Sequence, residues 1–194
     1  MRIVAGSHRG RKIIAPEGAD IRPTSDRVRE SVFNMLEHRD WGAGGVSPLS
    51  GARVLDAFCG TGACGLEALS RGALHATFMD NSNTALDLCR QNVSALKEHE
   101  RSDILRNDCL SPTRPAAPCD LAFLDPPYRE RLAVKALNAL SQAGWIADRG
   151  ICVLETGVDE IDDPGSRFTI LEDRKYGTTR IRIARYEADA VGND

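Results

Sequence analysis

The chain has 194 residues, 42% hydrophobic and 27% charged, a size and balance that suit one well-buried domain and exclude two full ones. No apolar run approaches the roughly 18 residues that cross a bilayer, and the first nine residues lack a signal peptide's apolar stretch, so a cytoplasmic protein without a membrane partner is expected. Net charge is −3, which excludes a protein that coats nucleic acid, yet residues 1–30 carry +3 and the remainder −6.

Along the chain, Ile3-Val4-Ala5 and Lys12-Ile13-Ile14 flank the turn Ser7-His8-Arg9-Gly10 and predict a small N-terminal β-hairpin. Its cations suit phosphate contacts, and Arg9, Arg11, Lys12 and the nearby Arg27 are the candidates. Pro16 to Pro23 reads as loop. Thr24 or Ser25 can then cap a helix from about Asp26, with Val28, Val32, Met35 and Leu36 on one face. Trp41 to Gly51 is glycine-rich and contains Pro48, as a connector would. The expected organisation is a basic hairpin extension over 1–23, a main domain over 24–187 and a disordered tail over 188–194.

From Ala52 the chain alternates strand, loop and helix. Strands are predicted at 53–56, 76–79, 104–105, 121–124 and 151–154, with helices from Gly60 to about Ser70, over 83–97 and around Leu132 to Leu140. Such alternation calls for right-handed crossovers and a mostly parallel sheet covered on both faces. Phe168 to Leu171 and Thr179 to Ala184 flank a turn at Tyr176-Gly177 and predict an antiparallel hairpin at the sheet edge. The fold class is therefore α/β, a Rossmann-like seven-stranded sheet with a C-terminal antiparallel hairpin.

Cys59, Cys64, Cys89, Cys109, Cys119 and Cys152 form no C-x-x-C pair, and the four histidines lie far from any of them, so no metal site is expected. Scattered through apolar segments, they read as small core side chains in a reducing compartment. A catalytic thiol would lack a base.

In open α/β sheets, ligands bind beyond the carboxyl ends of the strands. Asp56, Asp80, Asp108 and Asp125 all fall at or near those ends. Gly60-Thr61-Gly62-Ala63-Cys64-Gly65 matches G-x-G-x-x-G after a strand, with Asp80 placed to accept ribose hydroxyls. That pattern fits a nicotinamide dinucleotide or S-adenosylmethionine. Asp56, four residues ahead of the first glycine, favours the second: an acid serves a cationic amino group or sulfonium and serves a pyrophosphate poorly.

Asp125-Pro126-Pro127-Tyr128, directly after the apolar run Leu121 to Leu124, has no task in hydride transfer. It offers a carboxylate, carbonyls held rigid by proline and a flat ring within one turn. Those parts suit a planar heterocycle with an exocyclic NH2: oxygens accept both amine protons while the ring stacks. The catalytic candidates are thus Asp125, Pro126, Pro127 and Tyr128.

The run from Val54 to Gly62 with Asp80, Asp108 and Asp125-Pro126-Pro127-Tyr128 resembles the class I methyltransferases that act on exocyclic amines. The whole chain, from Gly6-Ser7-His8-Arg9-Gly10-Arg11 through Arg22-Pro23-Thr24-Ser25-Asp26-Arg27-Val28-Arg29-Glu30 to the final hairpin, is similar to the RsmD-type 16S ribosomal RNA guanine-N2 methyltransferases. The resemblance implies S-adenosyl-L-methionine as cofactor and 16S rRNA as partner, met within the small subunit or its assembly intermediate by a monomeric enzyme. It assigns Asp56, Phe58, Gly60 and Gly62 to the methionine part of the cofactor, Asp80 with Asn81 to the ribose, and Asp108 with Cys109 to the adenine. Thr24 and its neighbours would close over the cofactor, Asp125 and the Pro126 carbonyl would hold the amine, and Tyr128 would stack on the flipped guanine. Arg129 beside the pocket would touch base or backbone. An adenine-N6 methyltransferase shares the acceptor motif, although 194 residues leave little room for a target-recognition domain. A NAD-dependent oxidoreductase and a non-catalytic RNA-binding assembly factor are the readings from other classes.

Overall fold

The structure, a computed structural model, describes residues 1–16, 23–41, 47–127 and 130–188, with residues 23–25 described by their backbone alone. Residues 17–22 of the expected loop, residues 42–46 of the expected connector and all but Ala188 of the expected tail lie outside that set.

Seven strands form one sheet: β1 Arg53–Ala57, β2 His75–Asp80, β3 Ser102–Arg106, β4 Cys119–Leu124, β5 Ile146–Gly157, β6 Phe168–Tyr176 and β7 Thr179–Tyr186. Their spatial order is β3-β2-β1-β4-β5-β7-β6. The first five strands pair in parallel, while β7 runs antiparallel to both β5 and β6, as the alternating end of the chain predicts. The order reverses between β1 and β4, and a crevice opens where the two connections leave in opposite directions.

Side chains alternate along each strand, so each strand feeds both faces. Val54, Phe78, Leu121, Phe123, Val153 and Ile181 point to one face, against α1 (Pro23–His38), α2 (Ala63–Ser70) and α3 (Asn83–Leu96). Leu55, Met79, Ala122, Leu124, Cys152 and Leu154 point to the other, where α4 (Ala133–Gln142) supplies Ala136, Leu137 and Leu140. Phe33 of α1 stacks on Phe123 with ring centroids 5.1 Å apart, which fixes that helix beside the end of β4. Among the described residues no helix is long and apolar enough to cross a membrane.

The N-terminal hairpin takes a reduced form. Instead of two strands there is one antiparallel bridge, Arg2↔Lys12, and a 3-10 turn at Gly6–His8. Three backbone hydrogen bonds still join its arms, from Ile3 N–H to the Arg11 carbonyl (3.0 Å), Gly10 N–H to the Ile3 carbonyl (2.9 Å) and Ile13 N–H to the Met1 carbonyl (3.1 Å), and side chains of the body hold the segment in place. The carboxylate of Glu67, wholly buried in α2, accepts the backbone N–H groups of Val4 (2.8 Å) and Ala5 (3.0 Å) as well as Arg71 Nε (2.8 Å). Ile3 and Ile13 are buried in the core of the α1–α3 face. Gly6 adopts φ +79°, and a Cβ there would fall 1.8 Å from the Ser70 carbonyl oxygen, so only glycine permits the approach.

Candidate active site

The glycine-rich turn between β1 and α2 is held open from several sides. Phe58, Gly60 and Gly62 all have positive φ (59°, 53° and 78°), a run of left-handed residues that swings the backbone over the end of β1. Cys59 N–H donates to the Met79 carbonyl on β2 (3.0 Å), and Gly62 N–H closes the turn on the Cys59 carbonyl (2.7 Å). A Cβ on Gly60 would meet nothing within 4 Å, so this stretch of backbone faces open space and a guest can approach it closely. Gly65 has the opposite reason for being glycine: its Cβ would lie 2.4 Å from the Phe78 ring, where α2 packs on β2.

The acids at the strand ends divide by surroundings. Asp56 is buried and accepts the Gly65 N–H at 2.8 Å. Burial, with the charge of Asp80, pushes its carboxyl up to about 7 against the opposing pull of that hydrogen bond and of Arg29. Asp80 fastens the loop rather than standing free, since its two oxygens accept from Gly60 N (3.0 Å) and Ser82 N (2.9 Å). Asn81 beside it is exposed. Asp108 is exposed as well and caps its own turn by accepting Leu110 N at 2.9 Å. Cys109 is buried against the Phe58 backbone, and burial pushes its thiol up to about 12. It could therefore serve a ligand through its main chain and its packing, not through a thiolate. The Cys64 thiol is likewise pushed up by burial, and Cys59 is pushed up by its hydrogen bond to the Cys89 thiol.

Asp125 follows β4 directly. It is exposed to solvent, while Pro126 is buried behind it and Pro127 is exposed. Surrounding protein strips part of its hydration, and with the charges of Glu155 and Asp56 this holds the carboxyl well above the usual range; the solvent that still reaches it moderates the effect. Pairing of β1 with β4 sets Asp56 opposite Phe123, so Asp125 stands two residues further out on the same face. A small cavity there is lined by Arg29, Phe33, Cys64, Phe123, Asp125 and Glu155 among others. Tyr128 and Arg129 lie outside the described residues, as does the side chain of Thr24, whose backbone falls in the first turn of α1.

Two residues that sequence reasoning did not single out belong to this crevice. Arg29 is buried, pairs with Asp26 at 3.1 Å and donates from Nη2 to the Arg2 carbonyl at 2.7 Å, so it brings a fixed cation among the acids. Asn92, buried on α3, donates to the Thr61 and Ile14 carbonyls (both 2.9 Å) and accepts the Ile14 N–H (2.7 Å), tying the glycine turn to the N-terminal segment.

The basic candidates are not gathered at the acceptor end. Arg9 is exposed on the 3-10 turn that packs on Ser70, the far end of α2. Arg11 donates to the Ala95 carbonyl (2.8 Å) near the end of α3, roughly 18 Å along that helix from its start. Lys12 is exposed in the bridge, and Arg27 is exposed on α1, on the side it shares with Glu30, Ser31 and Asn34 and not on the side of Arg29, Val32 and Phe33 that lines the cavity.

A cationic ligand carrying a nucleoside fits this set. The crevice places a buried, proton-hungry Asp56, a second acid at Asp125 and an open glycine backbone side by side, with one buried arginine as partial compensation. The described residues show no built-in countercharge equal to those acids, which suits a sulfonium and disfavours a pyrophosphate.

Comparison with known proteins agrees with this geometry. The family model described as Conserved hypothetical protein 95 matches residues 1–185. The Ribosomal RNA small subunit methyltransferase D of Escherichia coli K12 is 31% identical over 97% of this chain and 91% of its own length. The protein of the same name from Haemophilus influenzae is 30% identical over 94% and 92%. Among solved structures, yhhF from Escherichia coli superposes with a TM-score of 0.81 at 31% identity, covering 97% of this chain and 99% of that one. The seven-stranded sheet is thus that of the class I methyltransferases, a fold that implies S-adenosylmethionine as cofactor. The chain belongs to the Conserved hypothetical protein 95 family, the family of the small-subunit ribosomal RNA methyltransferases D.

Proposed function

We propose that this protein transfers a methyl group to the exocyclic N2 amine of a guanine in 16S rRNA. The observation that carries the reading is Asp125-Pro126-Pro127 at the sheet's reversal point, on the same face as Asp56 and next to an open glycine turn. In this reading S-adenosyl-L-methionine, when bound, supplies an electrophilic methyl group on a sulfonium.

The protein's own residues supply position and charge. Asp56 and the backbone of Phe58, Gly60 and Gly62 hold the cationic methionine part, Asp80 and Asn81 face the ribose, and Asp108 with the main chain of Cys109 borders the adenine. The Asp125 carboxylate and the Pro126 carbonyl accept the two amine protons. That favours a tetrahedral nitrogen, whose lone pair is otherwise delocalised into the ring, and aims it along the transfer axis. Asp125 is an acceptor before transfer, not the initial base. Tyr128 stacks on the flipped guanine. Arg129, next in sequence to Tyr128, touches the target base or its backbone, Arg27 contacts phosphate, and Thr24 closes over the cofactor. The protein acts as a monomer in the cytoplasm, on the small subunit or its assembly intermediate.

Asp125→Ala separates these roles. Turnover should fall by about 10³-fold or more while cofactor affinity in isothermal titration stays within about threefold. Equal loss of cofactor binding would show that Asp125 belongs to the cofactor site and would overturn its role toward the amine.

A further inference from the structure

Glu155 has no part in the roles above, yet the sheet sets it beside the acceptor acid. Strands β4 and β5 run parallel with Phe123 opposite Val153 and Leu124 opposite Leu154, so Asp125 and Glu155 come next at the same height. Alternation places both on the face of Phe123 and Val153, and all four line the cavity closed by Arg29 and Cys64. We propose that Glu155 is a positioning residue for methyl transfer, acting through Asp125 as the second carboxyl of a pair across the ends of β4 and β5. The inference rests on the reading of Asp125 as the amine's acceptor.

The groups that face Asp125 come from four other elements. Asp56 reaches it from β1, Glu155 from β5, Arg29 from α1 and Cys64 from α2, while Asp125 itself ends β4. Arg29 is the one cation among the cavity's described lining, and it already shares its charge with Asp26. Loss of hydration beside the cavity, with the charges of Glu155 and Asp56 added to it, makes Asp125 bind a proton more strongly than an isolated aspartate does.

That basicity has a use. When the N2 nitrogen forms its new bond to the methyl carbon, the bond from that carbon to sulfur breaks with its pair left on sulfur, and the nitrogen, its lone pair spent, carries a positive charge. One N–H bond then breaks, the electron pair stays on nitrogen, and the proton passes to an Asp125 oxygen, which releases it to solvent. Glu155 raises the driving force for that transfer without touching the base. The cost falls at low pH, where a protonated Asp125 offers the amine an O–H in place of one acceptor.

Glu155→Gln keeps the shape and removes the charge, and Glu155→Asp keeps the charge. The first measurement is a ¹³C titration of the Asp125 carboxyl in the ligand-free full chain. In Glu155→Gln its midpoint should move down by about one pH unit, and Glu155→Asp should restore most of the difference. The second is the pH profile of kcat for methyl transfer to small ribosomal subunits. Its acid limb should shift down in parallel, with kcat at neutral pH lower by about tenfold and cofactor Kd within about twofold. An unmoved carboxyl titration would overturn the pairing. A fall in kcat without movement of the acid limb would mark Glu155 as merely structural and overturn its role in transfer. Wild-type protein inactive on every RNA, with the titration intact, would fault the proposed substrate rather than the pair.

Discussion

At the scale of single residues, the described part of the site is a set of acids with one buried cation, Arg29, among them. Asp56 shows the consequence for stability. Its carboxyl titrates near 7 in the folded protein against 3.8 as the reference value, so the folded state holds the proton more tightly than the unfolded chain does. The stabilisation from that proton is present below about pH 4 and is lost as pH rises through 7. Asp56→Asn removes the titration while its amide oxygen can still accept the Gly65 N–H. The variant should therefore melt higher than wild type at pH 8, by about 1–3 kcal/mol of stability, with the advantage vanishing near pH 4. The same variant should bind cofactor at least tenfold more weakly. Thermal melts across pH with calorimetric cofactor titrations check both; a variant less stable at pH 8 would refute the assignment. Here the site exists at the expense of the fold.

At the scale of elements, glycine placement links the loop to the sheet. Gly65 lets α2 lie on Phe78 of β2, and Gly65→Ala should cost about 1–3 kcal/mol by overpacking. Phe78→Leu in the same chain should return part of that loss, because the clash is with the ring edge; chemical denaturation of the single and double variants would read the coupling, and purely additive losses would contradict it. Elements of this kind are legible in the sequence. The strand–loop–helix rhythm, the glycine motif and the acids at strand ends follow from local periodicity and turn chemistry, and from Ala52 onward the observed strands contain every predicted one with longer ends. Strand β5 extends furthest beyond its predicted start, because residues 146–150 lack a continuous apolar run. What depends on distant packing is illegible. Glu67 reads as a solvated helix acid, yet α2 buries it as the anchor for residues 4 and 5. Arg29 and Glu155 look like surface charges of a helix and a strand, and only the docking of α1 over the ends of β4 and β5 turns them inward.

At the scale of the whole molecule, the charge asymmetry takes a geometric form. The basic N-terminal segment is stapled to α2 and α3 by Glu67, Ser70 and Asn92, and its tip lies at the helix ends remote from Asp125. Residues 9–12 would thus reach phosphates well away from the target nucleotide, gripping a structured RNA across the body while the crevice takes one base. His8, bonded to Glu98 at 2.5 Å, holds the turn in that place. Neutralising Arg9, Arg11 and Lys12 together should weaken RNA binding and reduce the slope of log K against log salt by about 0.7–0.9 for each phosphate these side chains neutralise. A slope equal to wild type would remove these residues from the interface.

The central claim concerns which atom is methylated, and nucleoside mass mapping of 16S rRNA tests it most directly. The RNA would come from cells lacking this gene, complemented with the wild-type chain or with Asp125→Ala. One N2-methylguanosine should be missing without the gene, return with wild type and stay missing with the variant. An unchanged guanine pattern, a lost N6-methyladenosine in its place, or full restoration by Asp125→Ala would contradict the account.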